Sequence, residues 1–254
     1  MDSDFTMIFV VLEILLVIAI ISYFYLSRKS VKTDNDKGKH NHTQDMPSVS
    51  QAFNLIRNRR TITPKDYKPG GKISDEDMRT ILEAANWAPT HNKTQPWRYV
   101  VLSGPEAIRR YLDFLSEWYA DRSDSLPEEA LSKFRSKYES VSVTWPAKVC
   151  HAALIVMRRQ ALPDKRMPEW EEMCATACSV QNMHLMATAM RLGAFWSSHT
   201  WCKDARDSDE MKDYLNMDLE DKLLGAFVFG EIEESQKFKS TRRPILDSVE
   251  FRAD

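Results

Sequence analysis

Residues 84–99 constrain the fold more than any other stretch, because two prolines dictate where a helix must stop and a strand must start. Pro89 disfavours the helical conformation at the residue before it and has no N–H for the ladder, so the helix ahead ends there. Pro96 opens the extended run Trp97-Arg98-Tyr99-Val100-Val101-Leu102. Between the prolines stand Thr90, His91, Asn92, Lys93, Thr94 and Gln95, with more hydrogen-bonding capacity than a plain connector needs. Flanked by Trp87 and Trp97, this loop reads either as a rigid helix–strand corner or as a holder for a flat, polar-edged ligand.

The surrounding pattern alternates helices and buried strands. Ser74 caps a helix with an acidic first turn, and Met78, Ile81, Leu82 and Ala85 follow at helical spacing. Gly104-Pro105 opens a second helix with Ile108, Tyr111, Leu112, Leu115 and Trp118 on one face. Residues 121–142 are charged and helix-prone, a surface excursion that reads as an ordinary solvent-facing helix or as a lid, punctuated by Trp145-Pro146. Residues 149–157 and 223–230 are almost continuously apolar, and such lack of alternation marks central strands. Residues 168–192 make the longest helix, rich in Ala, Met, Cys and Ser, with Gly193 expected just past its end. Ser208 caps a short helix. The tail carries Ile245, Leu246, Val249 and Phe251, and docks on a partner subunit or folds back on its own core.

The N-terminus is a separate matter. Residues 7–26 are apolar except for Glu13 and Ser22, and at 1.5 Å per residue they reach about 30 Å, one hydrocarbon thickness. Asp2 and Asp4 precede the run, while Arg28, Lys29 and Lys32 follow it. A cleaved signal peptide is the alternative, but the acidic start and the lack of a small-residue cleavage motif oppose it. The expected layout is a membrane anchor over 1–27, a flexible tether over 28–47 and a folded domain over 48–254, with the domain on the cytosolic side.

Composition excludes several functions. A net charge of −2 gives no pull toward nucleic acid, and four cysteines are too few and scattered for a disulfide scaffold. Cys174 and Cys178 share a helical face, but His184 lies ten residues beyond Cys174, so the pair reads as buried small residues and not as a metal site. With seven glycines and neither phosphate-loop motif, any nucleotide is bound without those loops. Arg57-Asn58-Arg59-Arg60-Thr61, at the end of a helix whose stripe is Val49, Phe53, Leu55 and Ile56, suits a phosphate or is a solvated basic turn.

Four segments in order carry a family resemblance. They are Arg59-Arg60-Thr61, then Ala88-Pro89 with His91 and Gln95-Pro96-Trp97-Arg98, then Trp170-Glu171 with Gly193-Ala194-Phe195-Trp196, then Gly225-Ala226-Phe227-Val228-Phe229-Gly230. Over roughly residues 51–232 this resembles the FMN-dependent nitroreductase superfamily, most closely its small bacterial H-x-x-x-Q-P-W-R subgroup. The resemblance implies an α+β fold with a mixed central sheet flanked by helices, in an intertwined homodimer with FMN at the subunit interface. It implies that Arg59, Arg60 and Thr61 hold the FMN phosphate and ribityl chain. Trp87, His91 and Gln95 would approach the cofactor, the first two from the second subunit, and Trp196, Ser197 and Ser198 would run along the isoalloxazine. Thr61 replaces the usual Ser, and Trp87 and Ser197 stand where the subgroup commonly has arginine. The implied activity is ping-pong hydride transfer from NADH or NADPH to nitroaromatic, quinone or enone acceptors, with no dedicated side-chain acid or base. Two alternatives are a membrane-anchored reductive dehalogenase similar to the iodotyrosine deiodinase branch, and a flavin-binding protein without turnover.

Overall fold

The sheet is built around β2 (His151–Met157), whose seven residues are all buried. The computed structural model describes residues 46–235 and 237–252. β1 (Trp97–Ser103) lies on one side of β2, and β4 (Lys222–Gly230) and then β3 (Gly193–Ser197) lie on the other, in the order β1-β2-β4-β3. Every ladder is antiparallel. The expected mixed sheet is therefore corrected: among the described residues no strand pair runs parallel, and the α+β class stands.

Period-two alternation in β2 and β4 supplies two cores. Ala152, Leu154, Val156, Ala226 and Val228 face a layer made by α3 (Gly104–Ala120) and α4 (Glu128–Lys148). Ala153, Ile155, Phe227 and Phe229 face α2 (Asp75–Asn86) and α5 (Glu169–Ala189). Ser48–Asp254 forms one compact unit, and α1 (Val49–Asn58) leans on α5 at its edge. Short helices α6 (Lys203–Arg206) and α7 (Asp209–Leu215) follow β3. Ser74 and Ser208 cap their helices as expected, accepting from Asp77 N at 3.0 Å and Met211 N at 3.1 Å.

Several local expectations are revised. α4 runs through Pro146 to Lys148, because that proline lies in the last turn, where few ladder bonds remain to be lost, and buried Val141 and Trp145 anchor the segment. The left-handed residue after α5 is Arg191 (φ 58°), with Leu192 N–H reaching Ala187 O at 2.8 Å. Gly193 instead begins β3, where a Cβ would stand 2.4 Å from the Tyr67 ring. Cys174 and Cys178 are exposed, not buried, because only one side of α5 meets the sheet and both cysteines lie off the buried face of Ala175, Ser179, Val180 and Met183. Among the described residues the apolar stripe of α1 likewise finds no cover: Val49, Phe53 and Ile56 are exposed, as are Ile245, Leu246, Val249 and Phe251 of the tail. Among the described residues no helix is long and apolar enough to cross a membrane, and the expected span over 7–26 lies outside them.

Candidate functional site

α1 ends at Asn58, and the backbone turns extended at Arg59 (φ −57°, ψ 129°). Three residues later the Ile62 N–H donates to Ala194 O at 3.1 Å, fastening this segment to the outer edge of β3. That contact sets Arg59 beside α5. Arg59 Nη1 lies 3.3 Å from His184 Nδ1 and 3.5 Å from Thr61 Oγ1. His184 Nε2 is 2.9 Å from the Arg60 carbonyl, which can only accept, so Nε2 carries the hydrogen and Nδ1 accepts from Arg59. Burial pushes the His184 imidazole down to about 4, and Arg59 adds to the effect against that carbonyl bond. The ring is therefore neutral at physiological pH.

Arg59 itself is lowered by burial, then by Arg242 and Arg60. Like charges gathered in this way are unfavourable unless an anion joins them, and among the described residues none of the three forms an ion pair with a carboxylate. Arg60 is different in kind. Its Nε donates to Phe238 O at 3.2 Å and its Nη1 to Arg57 O at 2.6 Å and Arg59 O at 2.8 Å, so it fastens the tail to the end of α1. Arg59 alone of the adjacent pair turns to His184. There a cleft of about 170 Å³ is lined by Thr61, Ala177, Val180, Gln181, His184 and Trp196.

Trp196 leads to a second cleft. Its indole N–H donates to Leu224 O at 3.0 Å, and the ring also borders a cavity of about 880 Å³ that runs over Ser197 and Ser198. That volume is within the ordinary range for small-molecule sites. Two features force the serine turn into place. His199 adopts φ 57°, wholly buried, with Nδ1–H donating to Ser197 O at 3.1 Å, and burial pushes its imidazole down to about 4. Gly225 has φ 107°, and a Cβ there would lie 2.0 Å from Ser197 O.

Trp87, His91 and Gln95 lie elsewhere. Trp87 caps α2 with its ring exposed and its Nε1 donating to Glu83 Oε1 at 3.1 Å. His91 Nδ1 pairs with Glu171 Oε2 in the first turn of α5. Gln95 Nε2 donates to Asn86 Oδ1 at 2.9 Å. The loop is backbone-strained, with Asn92, Lys93 and Gln95 all at positive φ (51°, 57° and 46°), which favours a functional constraint over a plain corner. Glu171 and His184 are separated by thirteen positions of α5, about 20 Å of helix. One chain thus gathers Arg59, Thr61, Trp196, Ser197 and Ser198 around the two clefts, while Trp87, His91 and Gln95 line neither of them.

Sequence reasoning used His184 only to dismiss a zinc site, and it offered Arg242 and Arg243 of the tail as phosphate ligands from the second subunit. The one signal for His184 was an imidazole set among the apolar residues of the helix's second half, beside Gln181 and Asn182.

A model of the nitroreductase family ("Nitroreductase family") matches residues 56–231. YfhC of Bacillus subtilis strain 168, named as an NAD(P)H nitroreductase, is 24% identical over 205 residues, covering 81% of this chain and 96% of that protein. A nitroreductase from Desulfovibrio desulfuricans in complex with FMN superposes with a TM-score of 0.57 at 25% identity, over 82% of this chain and 98% of that one. The FMN-dependent nitroreductase NfnB from Mycobacterium smegmatis in complex with NADPH gives 0.58 at 20% identity, over 80% of this chain and 99% of that one.

Proposed function

The chain belongs to the nitroreductase family, and we propose that it is an FMN-dependent oxidoreductase that takes hydride from NADH or NADPH and reduces small electron-poor acceptors, nitroarenes, quinones or enones, in ping-pong order. One observation carries the cofactor assignment: Arg59 stands beside Thr61 and His184 without a carboxylate partner, its charge further disfavoured by Arg242 and Arg60, at a cleft that shares Trp196 with the larger one over Ser197 and Ser198. That donor set fits a single phosphate with a flat ring system beyond it.

When bound, FMN would supply the redox chemistry, hydride transfer from NAD(P)H to the acceptor. The protein's own residues position and bias. Arg59 offers a planar pair of donors to the phosphate, and Thr61 adds a hydroxyl. His184 stays neutral, so it accepts from Arg59 and holds the fork without adding charge. Ser197 and Ser198 bring hydroxyls to the ring end, held there by the turn that His199 and Gly225 enforce. Reduction of a nitro group to a nitroso group consumes one hydride from NAD(P)H and one proton from solvent, and releases NAD(P)+ and water. No side-chain acid or base is needed for that balance.

The active assembly in this reading is a homodimer. Val49, Phe53 and Ile56 of α1, Trp170 and Met173 of α5 and the apolar tail are exposed in one chain, and a second copy would cover them. The same partner would bring its Trp87, His91 and Gln95 to the clefts that the first chain leaves without them. The folded domain, 48–254, would be held to a membrane on the cytosolic side by residues 1–27 through the tether over 28–47. The decisive test is Arg59→Ala in the full chain. Losing a hydrogen-bonded charged partner is worth about 1.5–3 kcal/mol, so FMN affinity should fall at least about tenfold. Unchanged affinity would overturn the phosphate assignment.

A further inference from the structure

The large cleft over Ser197 and Ser198 has a charge pattern that broad acceptor reduction does not call for. Lys65, Lys133 and Lys137 line it, and no Asp or Glu does. Among the described residues none of these lysines forms an ion pair with a carboxylate. Lys133 and Lys137 are one helical turn apart on α4, a like-charge spacing that is mildly unfavourable in itself. α4 is pinned from beneath by Leu131, Phe134, Val141 and Trp145, all buried, so this lysine pair cannot easily be carried off the cleft. Lys65 comes from a different element, the turn Pro64–Asp66, whose Lys65 carbonyl accepts from Lys148 Nζ at 2.6 Å. Trp145, Phe195, Trp196 and Trp201 supply aromatic walls between them. The chain as a whole is slightly acidic, with net charge −2, so a carboxylate-free basic cleft is a local arrangement and not a consequence of composition.

Resting on the oxidoreductase reading above, we propose that the acceptor is an aromatic molecule bearing a carboxylate, with Lys133 and Lys137 as the residues that select it. The FMN phosphate does not account for these lysines, because Thr61 and His184, the residues Arg59 contacts, line the other cleft. The aromatic ring packs on the walls near Trp196 and the serine turn, and the carboxylate points to α4. Because Lys133 and Lys137 are exposed, the preference is a matter of modest Coulomb attraction and weakens with salt.

The test uses the full chain and the double variant Lys133→Gln, Lys137→Gln, with 4-nitrobenzoate and its neutral counterpart 4-nitrobenzyl alcohol as probes. Equilibrium binding is followed by quenching of tryptophan fluorescence, and turnover by NADPH oxidation. The wild type should bind and turn over the anion better than the alcohol at low salt. The double variant should lose about threefold to tenfold on the anion, the range for two exposed charge pairs, while the alcohol and the FMN content stay within about twofold. Equal treatment of the two probes by wild type and variant overturns the proposal. A variant whose only change is a raised KM for NADPH overturns it too, since the lysines would then serve the hydride donor. If neither probe is turned over but binding discriminates as stated, the anion preference stands and the redox reading fails, so the two are separable.

Discussion

Acid should destabilise this protein through His199, by an amount the structure sets. The imidazole is wholly buried among the rings of Tyr111, Trp145 and Trp201, at centroid distances of 5.8, 5.9 and 5.7 Å. Burial pushes it from an ordinary value of 6.5 down to about 4; Arg206 adds to the effect, and the bond to Ser197 O opposes it. An unfolded chain takes up this proton near pH 6.5, whereas the folded chain refuses it until about pH 4. Between those limits the unfolded state binds more protons, so unfolding free energy falls as pH falls. The contribution is fully present above about pH 6.5 and is lost progressively toward pH 4. At about 1.4 kcal/mol per tenfold change in proton affinity, the loss is about 2 kcal/mol at pH 5 and about 3 kcal/mol over the whole window. Single domains hold only about 5–15 kcal/mol in total. Urea unfolding followed by tryptophan fluorescence at pH 7, 6 and 5 measures it, with flavin concentration held constant because bound ligand adds apparent stability. The control is His199→Asn, which tolerates the left-handed backbone and keeps an N–H for Ser197 O. That variant should be less stable at pH 7 yet lose about 2 kcal/mol less between pH 7 and 5. Parallel curves for the two proteins would refute the argument.

Three further outcomes are expected. Gly225→Ala should lower the melting temperature by about 6–12 °C, because a Cβ 2.0 Å from Ser197 O at φ 107° adds both overlap and backbone strain, together about 3 kcal/mol; a wild-type melting curve would mean that the serine turn does not rest on β4. Light scattering on residues 48–254 should give twice the chain mass, and a flavin-loaded monomer would remove the cross-subunit role given to His91. Protease added outside sealed cytosol-facing vesicles should digest the domain, whereas protection, or a mature N-terminus beyond residue 26, would make the apolar stretch a targeting signal.

Legibility in the sequence followed how local each determinant was. β2 and β4 were readable because a strand covered on both faces cannot alternate, and α2 was readable because a cap, an acidic first turn and a stripe all agree. Pro89 and Pro96 bracketed their loop correctly because proline acts on its immediate neighbours. α5 was located but not oriented: beyond its acidic first turn, small and apolar residues recur on several sides, so its pattern names no single inner face, and Cys174 and Cys178 were placed inside when they are exposed. Arg59 and Arg60 look interchangeable in sequence, yet the backbone turn at the end of α1 sends one guanidinium to His184 and the other to the carbonyls of Arg57, Arg59 and Phe238. His184 was invisible as a partner because its meaning lies in a contact across 125 positions of chain. The run of α4 through Pro146 reflects tertiary anchoring by Val141 and Trp145, which no proline rule contains.

The bond from Ile62 N–H to Ala194 O also determines how the protein should be handled. Among the described residues β3 is the last strand on its side, and an uncovered outer strand is a template on which other chains polymerise. Here the cover is the segment just after Arg59 and Thr61, the residues proposed above to hold the cofactor's phosphate. Expression with scarce flavin would then leave the sheet's selvedge loosely guarded, and the cost would surface as insoluble material before it surfaced as lost turnover. Growth medium and refolding buffer supplied with riboflavin phosphate are thus a matter of keeping chains apart as much as of keeping them active.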